Sequence, residues 1–474
     1  MHFRTHYFTS RRLRVVRLSL QAGVLAGAAT LVACGPSSDS ETPGRTPLAE
    51  KWLIRADNSY KTGDFDDAQS SASAALDVAP KDPAIRLLNA KLALSHLDWQ
   101  RALQLTDGLQ TSEAHSIRGR AHWYAGEIDE AADELEAEVG DPQVKDPWAH
   151  QVANLARRGS GRHPFAMEGS LIADVEMPPA GAALVVPCEL EGERILAVVA
   201  TASGEVILDS NVRRDPAWVN LSFGDAQQRI EVKDVPALTE DLSPLTRQLG
   251  APVRALLGVN LLRHMHSTFD RRGDQFVVRK DDPPAPPDAS RIPLWYVRGG
   301  GMLLRGTLAH DEKATFLVDS SQPYFIALSD PLWRSSGLES KSTQADPTRT
   351  DVRAASLPVM RLAGFELPQV PALSSAAITG VQSNVDLDLG GVIGASLISA
   401  FRVTFGDQGR FIWMEPDMTQ QMQAADAARA QQQMQSQPPP GDASLPMQLS
   451  PNGGMSAPNG GMPGTNGGLK DPSQ

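Results

Sequence analysis

Two stretches of the chain repeat one pattern of apolar and polar positions. Cys188 to Ser203 reads C-E-L-E-G-E-R-I-L-A-V-V-A-T-A-S, and Thr307 to Gln322 reads T-L-A-H-D-E-K-A-T-F-L-V-D-S-S-Q. Each opens in alternation, turns at a charged G-E or D-E dipeptide and returns as an apolar run, the pattern of a β-hairpin. They align without a gap, so Ala200 falls on Asp319. V-P-A-L follows in both, at Val235–Leu238 and Val370–Leu373. An apolar-apolar-Gly element comes next, Leu256–Leu262 and Val392–Ile398. Each copy closes with a strand, a turn and a strand, S-T-F-D-R-R-G-D-Q-F-V-V and V-T-F-G-D-Q-G-R-F-I-W-M. A repeat of this length is not a solenoid unit. It predicts a duplicated β domain, a first lobe over 165–280 and a second over 291–417, joined by the stiff Pro-rich linker 281–290.

Upstream, from Leu48, the period becomes helical. Gly63-Asp64-Phe65 with Ala68 recurs as Leu97-Asp98-Trp99 with Ala102, 34 residues on, and as Gly126-Glu127-Ile128 with Ala131 after a further 29. This predicts stacked helical hairpins over 48–158, expected to fold on their own because their contacts are local. Arg157–Arg162, R-R-G-S-G-R, breaks the pattern. Residues 418–474 are rich in Gln and Met, then Pro, Gly and Asn. They bury too little apolar surface to fold and are expected to be disordered.

The helical array resembles the tetratricopeptide repeat, whose period is 34. The first unit fits best, with Ala56, Tyr60, Gly63, Phe65, Ala68, Ala72, Ala75 and Pro80. The resemblance implies protein or peptide ligands on the concave face. The duplicated β region resembles the retropepsin-like and pepsin-like aspartic proteases. In that family each lobe carries an apolar strand ending in D-T-G or D-S-G, with a later apolar-apolar-Gly segment beside it. The fold class implied is an α-helical solenoid followed by two mainly-β, aspartic-protease-like lobes.

The departures change the chemistry. Where the first lobe should read D-T-G it reads Ala200-Thr201-Ala202; the second reads Asp319-Ser320-Ser321. The family's mechanism needs two adjacent carboxylates that share a proton, one acting as acid and the other as base. Asp319 alone cannot fill both roles, and Ala200 offers only a methyl group. Thr201 and Ser320 keep the hydroxyls that, by the resemblance, brace the two turns. Ala202 and Ser321 replace glycines, at a cost of about 1 kcal/mol or more if φ is positive there. Glu205 and Asp209 lie beyond the first turn and do not replace the missing acid.

Charge and cysteine narrow the setting. The formal net charge of the 474 residues is −12. Arg4, Arg11, Arg12, Arg14 and Arg17 all precede a modest apolar run, Leu18–Ala33, so removing residues 1–33 leaves −17. An acidic chain is a poor partner for nucleic acid, and none is expected. The run is too short to span a membrane and ends L-V-A-C, Leu31–Cys34, which resembles the lipobox of bacterial lipoproteins. That implies a signal peptide over 1–33, acylated Cys34, a flexible tether over 34–47 and membrane attachment. Gly35 after the cysteine favours the outer membrane. Ser10-Arg11-Arg12 hints at twin-arginine export. Cys188 reads as a small buried hydrophobe.

Three further motifs carry no chemistry. His264 and His266 would share one face of a strand, but no third ligand accompanies them, so neither a metal nor another cofactor is expected. Ser396 has no nucleophile elbow. Gly299-Gly300-Gly301 precedes a strand and reads as a turn. The sequence therefore favours a lipid-anchored envelope protein that binds protein or peptide partners through its array groove and inter-lobe cleft, without catalysis. Two alternatives stand beside it: an aspartic peptidase using Asp319 through pairing of two chains, and a purely structural envelope lipoprotein.

Overall fold

The computed structural model describes residues 45–308, 311–346, 349–362, 364–374, 385 and 387–416. The expected leader, Cys34, most of the tether and the C-terminal tail lie outside the described residues. An N-terminal helical region leads into a mostly-β region with a barrel-like sheet, within one compact unit.

Seven helices come first: α1 Pro47–Lys61, α2 Phe65–Val78, α3 Pro83–Ser95, α4 Trp99–Thr106, α5 Ser112–Ala125, α6 Ile128–Val139 and α7 Pro147–Arg157. Their starts are set locally. Thr46, Asp64, Asp82, Asp98, Thr111 and Asp146 each accept a backbone N–H of the first turn, satisfying donors a helix leaves free. The turns within the three hairpins share one feature. Gly63, Leu97 and Gly126 all have positive φ, at 71°, 61° and 82°. Leu97 bears a left-handed strain of about 1–2 kcal/mol. It is 3% exposed and joins the apolar core of the β region, which offsets that strain.

Each half of the β region builds its own sheet. In the first, the Glu193–Ala200 strand lies between Val185–Leu190 and Val253–Gly258, and Ala217–Gly224 pairs back onto Arg229–Glu240 to close a barrel. In the second, Lys313–Asp319 lies between Gly301–Leu308 and Gly391–Gly394. The two registers repeat. Ala200 pairs with Gly258 in parallel, and Asp319 with Gly394. Val206 pairs with Ala237 in the first V-P-A-L, and Ile326 with Ala372 in the second. Gly258 and Gly394 are required: a Cβ on either would sit 2.0 Å from the Glu205 carbonyl oxygen or 2.2 Å from that of Tyr324.

A third sheet joins the halves. Its six strands run Ser290–Pro293, Phe411–Pro416, Phe401–Gly406, Thr268–Asp270, Gln275–Arg279 and Ile172–Glu176, so three come from each half. Across its centre the Thr268 and Thr404 hydroxyls meet at 2.8 Å.

The histidine pair is not on a strand, contrary to the sequence reading. Gly258 starts a short helix, Val259–His264, that carries the chain off the sheet. His264 ends that helix, stacks on Phe165 at 4.3 Å and faces the Asn260 carbonyl oxygen at 2.6 Å. Burial depresses its pKa to about 3. His266 lies in the next turn with φ 41° and meets Asp282 at 2.8 Å.

Candidate functional site

The two matching turns meet. Thr201 Oγ1 donates to the Val318 carbonyl oxygen at 2.7 Å and accepts from the Ser320 N–H at 3.2 Å. Reciprocally, Ser320 Oγ donates to the Val199 carbonyl oxygen at 2.7 Å and accepts from the Thr201 N–H at 3.1 Å. Both hydroxyl residues have no exposed surface. The clasp is symmetric in its partners, so Ala200 and Asp319, each one residue earlier, occupy matching places. Neither Ala202 nor Ser321 adopts a positive φ. Ala202 and Ser321 therefore carry no left-handed strain, the positive φ on which that cost depended being absent.

Asp319 is held locally. Ser321 donates to its Oδ1 twice, from the hydroxyl at 2.6 Å and from the backbone N–H at 3.1 Å. Burial still raises its pKa, outweighing these bonds and one from the Gln322 side chain. No second carboxylate contributes to that shift, and the matching position holds the Ala200 methyl group, 3% exposed.

Glu205, set aside in the sequence reading, has a defined role in packing. Its carboxylate accepts from the indole N–H of Trp148 at 2.8 Å and of Trp123 at 3.2 Å. Both tryptophans belong to the helical array. Glu205 is 4% exposed, and burial raises its pKa against the pull of these donors. Tyr124 packs on the same spot, its hydroxyl oxygen close to Gly204. Asp209 instead meets Arg254 at 3.2 Å and Asn211 at 2.9 Å. No local pattern marks Trp123 and Trp148 as partners of Glu205.

The array also reaches the second half. Strand alternation puts Leu303, Arg305, Thr315, Leu317 and Asp319 on one face of the Gly301–Asp319 hairpin, because Arg305 pairs with Thr315 and Leu303 with Leu317. Leu303 and Leu317 share an apolar cluster with Tyr60, Phe65, Leu88 and Leu92 of the array. On the first half, Val198, on the Ala200 face of its strand, shares a cluster with Trp123 and Leu155. The helices thus pack on the same faces as both turn residues.

The remaining predicted positions are structural. Ser396 donates to the Pro323 carbonyl oxygen at 2.6 Å. Gly299, φ 78°, lies against Tyr124, where a Cβ would come within 2.7 Å of the ring. Cys188 is 6% exposed and burial pushes its thiol up to about 12. Among the described residues no group of His, Cys, Asp and Glu is arranged to hold a metal. A groove of about 290 Å³ runs along the array, lined by Tyr60, Lys91, Ser95, Ser116 and Arg120, and by Arg298 from the β region.

No protein-family model matches the chain, and no curated protein matches it in sequence. Solved structures are similar to parts of it. The tetratricopeptide-repeat domain of Arabidopsis OM64 is 20% identical, covers 24% of this chain and 98% of its own length, with a TM-score of 0.23. A retropepsin-like aspartic protease from Rickettsia conorii is 18% identical, covering 28% of this chain and 95% of its own, at a TM-score of 0.21. Basic 7S globulin from soybean, at 8% identity, covers 53% of this chain and 95% of its own, at 0.36.

Proposed function

We propose that the protein is a lipid-anchored scaffold of the bacterial envelope, outer membrane preferred, that binds protein or peptide partners. In this reading a tetratricopeptide-like array supplies the docking groove and two aspartic-protease-like lobes serve as its non-catalytic platform. The observation that carries it is the clasp. Four hydrogen bonds keep Thr201 and Ser320 locked together around a site with one carboxylate. Two-chain pairing of Asp319 would have to break them all and displace a covalently attached lobe, which effective concentration opposes. The helices also pack on the faces of both turns, which directs partners to the array groove rather than the inter-lobe cleft.

A displayed random-peptide library tests the groove. Ser116→Trp puts an indole into about 290 Å³ of groove and is expected to weaken selected peptides at least ~10-fold, the cost of blocking a central contact. Peptides that bind Ser116→Trp as well as the parent would remove the groove from the proposal.

Anchoring has its own test. Acylated Cys34 with two or more chains anchors stably, unlike a single chain. Cys34→Ala is expected to move the protein from the membrane fraction to the soluble fraction. Equal retention in the membrane would refute the anchor.

A further inference from the structure

The second half of the β region grips the first hairpin of the array through three consecutive residues. Thr315 Oγ1 donates to the Gly63 carbonyl oxygen at 2.9 Å. Arg305 donates to the Asp64 carboxylate at 2.7 Å and holds its pKa below the usual carboxylate value. The Phe65 ring stacks on Trp295, centroids 4.5 Å apart and planes 15° from parallel. Beside them the Asp388 N–H donates to the Lys61 carbonyl oxygen at 2.6 Å. Carbonyl, carboxylate and aromatic ring are each met by a complementary group on one sheet face. Only glycine fits at the first position: its φ is 71°, and a Cβ would come within 2.6 Å of Thr315.

We propose that Trp295, Arg305 and Thr315 form a recognition site for a tight turn that presents an acid followed by an aromatic residue. Gly63-Asp64-Phe65 fills the site in cis, and the same chemistry in trans occupies it when the first repeat lifts. The ion pair is where the contact can open first. Arg305 retains 33% of its side-chain exposure and Asp64 39%, so the ion pair lies at a rim. Behind that rim Phe65 and Tyr60 share an apolar cluster with Leu303 and Leu317, so lifting the first repeat must also part these side chains. The site lies on the same strand face as Asp319, two and four positions along from Leu317 and Thr315. The site is distinct from the array groove and stands independently of the groove's ligand.

The probe is a head-to-tail cyclised hexapeptide of the Tyr60–Phe65 sequence, labelled for fluorescence anisotropy. The full chain is compared with an Asp64→Ala, Phe65→Ala variant that vacates the site. The vacated chain is expected to bind the probe at least ~10-fold more tightly than the parent, whose tethered turn competes at millimolar effective concentration. Adding Arg305→Ala, or changing the aspartate of the probe to asparagine, is expected to remove most of that gain. Equal binding to parent and vacated chains, insensitivity to Arg305→Ala, or no binding at millimolar probe would each overturn the site. Phe65 also packs inside the first repeat. Should its loss unfold that repeat, Asp64→Arg serves instead, setting two cations together while leaving the ring. Hydrogen exchange in Gly301–Asp319 is then expected to rise in Asp64→Arg and fall again in Asp64→Arg with Arg305→Asp. Unchanged exchange in both would also overturn the site.

Discussion

Incubated with a broad peptide library between mildly acid and neutral pH, the protein is expected to release no cleavage products, and Asp319→Ala is expected to behave as the parent does. Aspartic-protease chemistry divides acid and base work between two carboxylates, and loss of one such group costs ~10² to 10⁴ in rate. Here the position matching Asp319 across the clasp is Ala200, so the partner that would share a proton and position a water is absent. Burial raises the pKa of Asp319, and Ser321 occupies one of its oxygens twice. No second carboxylate stands beside it to split the acid and base roles between two groups. Mass spectrometry of the digest decides the matter. Cleavage by the parent that disappears in Asp319→Ala would reinstate the peptidase. A rate per molecule rising with protein concentration would then point to two-chain pairing.

Glu205→Ala is expected to be among the most destabilising single changes, by about 3 kcal/mol or more. It strands two indole N–H donors at the junction of array and β region, each unmet buried donor costing ~1–3 kcal/mol. Thermal melting and hydrogen exchange of Pro147–Arg157 would show it; a loss within ~0.5 kcal/mol would contradict the packing role. The same residue predicts a pH dependence. Burial raises its folded pKa above the unfolded value of about 4.3. Between those two values the native chain binds more protons than the unfolded chain, so this carboxylate's contribution to stability falls as pH rises through the window. Glu205→Gln removes the titration. The melting temperature of the variant, relative to parent, is therefore expected to be least favourable at low pH and to recover as pH rises past the folded pKa. A difference independent of pH would mean that Glu205 titrates alike in both states.

Much of the local structure was legible because it follows short-range rules. The recurring Gly63, Leu97 and Gly126 positions marked turns by spacing alone, and all three have positive φ. Leu97 shows the limit of the residue rule: its side chain is buried well enough to hold a backbone that glycine adopts more readily. His264 and His266 do not share a strand face, because the chain leaves the sheet before it reaches them. Gly258 ends the strand and begins a helix. At Ala202 and Ser321 the condition for left-handed strain is not met, because neither residue has a positive φ.

The sequence by itself determined the period-two hairpins, the helical punctuation and the presence of a carboxylate, Asp319, in one copy of a duplicated pattern where the other has Ala200. Each is encoded within a few residues or in a comparison of two copies, where periodicity and residue chemistry suffice. Only the tertiary structure decided that Glu205 meets Trp123 and Trp148, 82 and 57 positions away, and that Arg305 and Thr315 hold the Gly63-Asp64 turn across 241 and 252 positions. Such pairings leave no period in the chain. They follow from how the helical array packs on the sheets, where burying the array's aromatic residues leaves polar groups that must find partners.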